Sequence, residues 1–122
     1  MENFCCDLLG KPYIFAQMNL QRFIQKLHTQ AHGLEDYIAD AKRMETRYTN
    51  CQPENREKVA GQRGEFYQEF KTSLASFNHA FSTGYFKKVK VHYPEIAAAM
   101  AQFRAKINNN KNLLTLKQLG VL

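Results

Sequence analysis

Tryptophan is absent from this chain of 122 residues, and glycine, proline and cysteine are scarce at six, three and three. So few glycines and prolines weigh against a β fold, which needs turn residues at each reversal of the chain. The three cysteines are Cys5, Cys6 and Cys51. An odd number, two of them adjacent, argues against a disulfide framework, so reduced thiols and a cytoplasmic setting are expected. Lipid attachment at Cys5 and Cys6 is the other use such a pair can have. The first residues carry neither the basic start nor the apolar run of a signal peptide. No stretch approaches the roughly 18 apolar residues of a membrane span. The expectation is a soluble cytoplasmic protein, with export by another route left open.

Catalytic signatures are missing as well. The chain has no Gly-x-Gly-x-x-Gly, no phosphate-binding Gly-Lys-Ser/Thr loop, no His-Glu-x-x-His and no Cys-x-x-Cys. None of the eight Glu residues has a His three positions on, which removes the Glu-x-x-His pair of di-iron helical bundles. No cofactor is implied, and the protein reads as non-enzymatic. His28, His32 and Glu35, spaced four and three, share a helix face and are a weak candidate for a divalent metal. They flank the apolar seam instead of lying on it, so a solvated polar flank is the plainer reading.

What the chain does have is apolar periodicity. Leu20, Ile24, Leu27, Ala31, Leu34, Ile38, Ala41, Glu45 and Tyr48 recur at alternating steps of four and three, the spacing of a helix packed along its length. The phase does not reset at Gly33. One helix over about residues 12–49 is therefore expected, with two helices hinged at Gly33 as the alternative. Such a helix spans roughly 55 Å. A short polar loop at residues 49–53 implies an antiparallel neighbour. That second helix is expected over about residues 53–82, with Ala60, Arg63, Tyr67, Phe70, Leu74, Phe77 and Phe81 on its seam. Folding the pair about the loop sets Arg63 opposite Asp40 and Glu45 nearer Lys58. Tyr67, Phe70, Phe77 and Phe81 read as core in preference to a ligand pocket.

From Lys88 the chain alternates, with Val89, Val91 and Tyr93 against Lys88, Lys90 and His92. This reads as an extended segment over residues 88–93, lying on the bundle or pairing across subunits in a homodimer. Pro94 opens a third helix through Ile107, which the Asn108-Asn109-Asn110 run ends. Asn112 or Thr115 is expected to cap a last short helix that Gly120 stops. A short first helix over residues 3–9 is also expected, capped by Asn3.

Charge supplies the strongest functional signal. Residues 1–84 hold ten basic and ten acidic side chains, whereas residues 85–122 hold seven basic ones against Glu95 alone. Seven against one leaves the whole net charge of +6 in the last third. Tyr85, Phe86, Lys87, Lys88, Lys90 and His92 interleave cations with aromatics, and Arg104, Lys106, Lys111 and Lys117 can extend the patch. Such a surface seeks an anionic partner.

The expected architecture is all-α, one domain over residues 1–122: a bundle built on a long antiparallel helix hairpin with a third helix and short terminal helices. The expected function is a protein–protein interaction module (adaptor, chaperone or inhibitor). It would use a helical groove and the basic surface to hold another protein with an acidic surface or helix. Nucleic-acid binding through residues 85–93 and the third helix is the alternative.

Overall fold

The computed structural model describes residues 11–122, with side chains from residue 19 onward. The short helix expected over residues 3–9, and Cys5 and Cys6 with it, lie outside the described residues. The fold is all-α. Helix α1 spans Lys11–Asn50, α2 Arg56–His79, α3 Gly84–His92, α4 Pro94–Asn108 and α5 Lys111–Gln118. Short 3-10 turns at Pro53–Asn55 and Ala80–Ser82 flank α2. No strand occurs among the described residues.

Helix α1 runs unbroken through Gly33 over 40 residues, about 60 Å. Its continuity comes from burial on either side of the glycine: Ala31 and Leu34 are 3% and 1% exposed. Packing of that stripe outweighs the helix penalty of one glycine, about 1 kcal/mol. Every position of the expected α1 seam is buried or half-buried.

The residues that meet across α1 and α2 fall in reverse order along the chain. Gln30 bonds Ser76, Tyr37 bonds Glu69, and Glu45 bonds Arg63. The two helices therefore run antiparallel. Their register differs from the one expected. Arg63 pairs with Glu45, while Asp40 is taken by Arg43 on its own helix. The cause is the connection: the turn at Pro53–Asn55 delays α2 to Arg56 and moves the fold axis to about residue 53. The α2 seam is also corrected at its start, where Val59 is buried and Ala60 faces solvent. From Val59 the steps run four, four and three, through Arg63 and Tyr67 to Phe70.

The core is aromatic. Phe70 and Phe77 are fully enclosed, and Tyr37 stacks on Phe70 with ring centroids 5.1 Å apart. Phe77 meets Phe81 and Phe103 edge-on, and Phe81 meets Phe86. Helix α1 reaches every other helix. It touches α3 through Phe23 and Tyr85, touches α4 through His28 and Phe103, and lines a groove with α5.

Residues 84–92 are helical, which overturns the extended segment expected at 88–93 and the cross-subunit strand pairing it allowed. Thr83 starts the helix, its Oγ1 accepting from the Phe86 N–H at 3.2 Å. The inward residues are Phe86 and Val89, with Tyr85 and Tyr93 half-buried beside them. That spacing is helical, and Val91, counted as inward in the alternating pattern, is 74% exposed. Pro94 then disfavours helical backbone at Tyr93, which breaks α3 from α4 with a single residue at φ −136°, ψ 63°.

Asn109 and Asn110 separate α4 from α5 as the asparagine run implies. The cap of α5 is Asn110, not Asn112 or Thr115; its Oδ1 accepts from the N–H groups of Asn112 and Leu113. Gly120 stops α5 at φ 81°. Its N–H bonds the Lys117 carbonyl and the Val121 N–H bonds the Leu116 carbonyl, a two-bond stop that requires left-handed backbone.

Candidate functional site

Helix α3 is nine residues long, and its inner face is taken by Phe86 and Val89. The cationic positions face out. Lys87, Lys88, Lys90 and His92 are all exposed. Lys87 and Lys88 precede Val91 by four and three residues, so the three share one outer face. Lys90 leans back, its Nζ 5.8 Å from the centre of the Phe86 ring. Cations at the end of α3 also suit the negative end of the helix.

The aromatic members of this segment point the other way. Phe86 is 4% exposed and packed on Phe81, so it is not available to stack on a partner. Tyr85 is half-buried edge-on against Phe23, and burial, with Tyr93 nearby, pushes its phenol above the usual range. The interleaving read from the sequence is thus a division of labour: aromatics hold α3 to the bundle, and cations face solvent.

Of the other basic residues, Lys106, Lys111 and Lys117 are exposed on α4 and α5. Arg104 is exposed too, but its side chain is engaged by neighbouring groups of the fold. Its Nε donates to Asn78 Oδ1 at 3.0 Å, and its guanidinium sits 5.3 Å from the Phe81 ring centre. Asn78 and Asn108 exchange a pair of amide hydrogen bonds beside it, which ties α2 to α4. Among the described residues, no ion pair involves any cation of residues 85–122.

His28, His32 and Glu35 do not converge. The His28 ring packs on Phe103 at 4.6 Å, while His32 and Glu35 form an exposed pair 3.4 Å apart. No cluster of three or more His, Cys, Asp or Glu suited to a metal occurs among the described residues. Tyr67, Phe70, Phe77 and Phe81 are core residues.

Two of the open grooves along α1 have largely apolar walls. One, of about 290 Å³ and almost wholly apolar, lies against α4 between Ile24, Leu27, Ile96, Ala99, Met100 and Phe103. The other, of about 420 Å³, lies against α5, with Ile38, Ala41 and Leu116 in its floor and Lys42, Glu45 and Thr46 at its edge. Alanine on the α4 wall leaves the first groove unfilled.

Sequence reasoning located the polar seam positions but not their partners. Glu45 accepts two bonds from Arg63, at 2.7 and 3.0 Å, and a third from the Tyr67 hydroxyl at 2.8 Å. The Arg63 guanidinium lies 4.9 Å from the Tyr48 ring centre and 5.4 Å from that of Tyr67. Arg63 holds the Glu45 carboxyl below the usual carboxylate range against the opposing effect of burial. Burial, then the bond to Glu45, drives the Tyr67 phenol strongly upward. Every charge is matched within the cluster, which marks it as structural. Among the described residues no helix is long and apolar enough to cross a membrane. No family model matches this chain, and no curated protein or solved structure shows significant similarity to it.

Proposed function

We propose that this chain is a non-enzymatic helical interaction module that holds an anionic partner, an acidic protein surface or helix, against its last third. The observation that carries the reading is the outward set of lysines on α3, α4 and α5, none of them in an ion pair among the described residues. A cation without an internal partner contributes little to the fold and is free to meet an external anion. The apolar groove along α1 and α4 offers a second point of hold, of the kind that receives an amphipathic helix.

Nucleic-acid binding is the second reading. Four basic side chains within nine residues of one helix suit phosphate contact. With Phe86 buried, such binding would rest on phosphates more than on base stacking.

A salt titration tests the proposal. Wild type and a Lys87→Glu/Lys88→Glu/Lys90→Glu variant are titrated with polyglutamate and with mixed single- and double-stranded oligonucleotides. Binding that weakens with salt and is lost in the variant supports an anion-binding role, and the preferred polymer ranks the two readings. Absence of binding to either polymer at low salt overturns both.

A further inference from the structure

Resting on the anion-binding reading, we infer that the outer face of α3 docks an acidic peptide segment that carries an apolar side chain between its carboxylates. Val91 is the reason. It is 74% exposed, the most exposed large hydrophobic among the described residues. It stands one turn beyond Lys87 and Lys88 on the same side of α3, with Lys90 and His92 adjacent to it in sequence. The inner face of the helix is closed by Phe86 and Val89, so Val91 has no role in holding α3 to the bundle.

An apolar knob among cations narrows the partner. A phosphate backbone needs the cations and gains nothing from a valine. An unstacked base needs an exposed ring, and the segment turns its rings inward. An acidic helix or extended peptide uses both parts: carboxylates meet Lys87 and Lys88, and an apolar side chain covers Val91. Charge then sets approach and orientation, while the covered valine adds a salt-insensitive share of affinity. The absence of acidic residues from α3, with Glu95 the one acid in residues 85–122, keeps repulsion away from such a partner.

The test uses the full chain and three probes: a short helix-forming peptide with Glu on both sides of a Leu stripe, a DNA duplex, and vesicles rich in phosphatidylserine. Each is titrated against wild type, Lys87→Glu/Lys88→Glu and Val91→Gln at low and at physiological salt. Val91 is exposed, so Val91→Gln keeps the fold, which circular dichroism checks. The expected result is tightest binding to the peptide, loss in the double lysine variant, and a weakening of about tenfold in Val91→Gln at both salt concentrations. Tighter binding to duplex or vesicles with no effect of Val91→Gln overturns the inference while leaving an anion-binding surface in place. Peptide affinity that responds to the lysines but not to Val91 also overturns it. No binding to any probe at low salt removes the anion-binding reading itself.

Discussion

Glu45 and Arg63 clasp each other across α1 and α2, carboxylate to guanidinium through two hydrogen bonds, with the Tyr67 hydroxyl closing the third side. The pair is about seven-tenths shielded from solvent, its side chains 31% and 27% exposed. Replacing Glu45 by Gln leaves the guanidinium half-buried without a counter-charge. We expect a loss of about 1–2 kcal/mol, read as a lower urea midpoint at unchanged slope. Asp40→Asn, which touches an exposed intrahelical pair, should change stability by less than about 0.5 kcal/mol. Equal effects of the two substitutions would contradict the register described above.

The same carboxylate sets an acid limit. The folded-state pKa of Glu45 is lowered from 4.5 chiefly by Arg63. A group depressed in the folded state contributes stability above its unfolded pKa and loses it as pH falls through the folded value. The wild-type urea midpoint should therefore fall below about pH 4 more steeply than that of Glu45→Gln, the two curves converging in acid. Parallel curves would show that the Glu45 carboxyl is not held down. At the alkaline end Tyr67 has the opposite sense. Its raised folded pKa gives a contribution present below the unfolded tyrosine value, near 10, and lost as pH rises beyond it.

Two glycine substitutions should have opposite signs. A Cβ added at Gly33 meets nothing within 4 Å, so Gly33→Ala should stabilise α1 by up to about 1 kcal/mol and raise Tm by a few degrees. Gly120 has equal room but sits at φ 81°, so Gly120→Ala should destabilise by about 1 kcal/mol. Calorimetry on the two variants separates backbone conformation from space, because space alone predicts the same sign for both.

Leu113 on α5 is fully buried although its helix is only eight residues long. Leu113→Ala should cost about 2–4 kcal/mol, comparable with a central core position such as Leu34→Ala. A loss under about 1 kcal/mol would mean that α5 does not share the core.

The sequence carried the helices well and their relations less well. Steps of four and three over 29 residues, 20–48, allow one phase only, so α1 was legible through Gly33. The segment from Lys88 to Tyr93 is too short to separate period two from period 3.6. Val89 and Tyr93 fit both patterns, and only Val91 distinguishes them. The deciding fact is tertiary: Phe86 and Val89 together cover the aromatic cluster at Phe81. The partner of Arg63 was missed because a connection two or three residues longer moves every cross-helix pair. The basic side chains were legible as a set from charge counting alone. The hydrogen bond from Arg104 to Asn78 was not, because that acceptor carries no charge to flag it.

Helix α1 supplies a wall to every other helix, from Phe23 at α3 to Ile38 at α5. No later helix can therefore complete its packing until α1 is in place, and α1 cannot open at one end without exposing another helix's core residues. Cooperativity is written into the layout. The amides of Leu27 to Ile38 should exchange with solvent only through global unfolding. Those of α3, nine residues held by Phe86 and Val89, should exchange through a cheaper local opening. The basic face would then ride on a short helix that opens locally in a tightly coupled bundle, which lets that face adapt to a partner without loosening the rest.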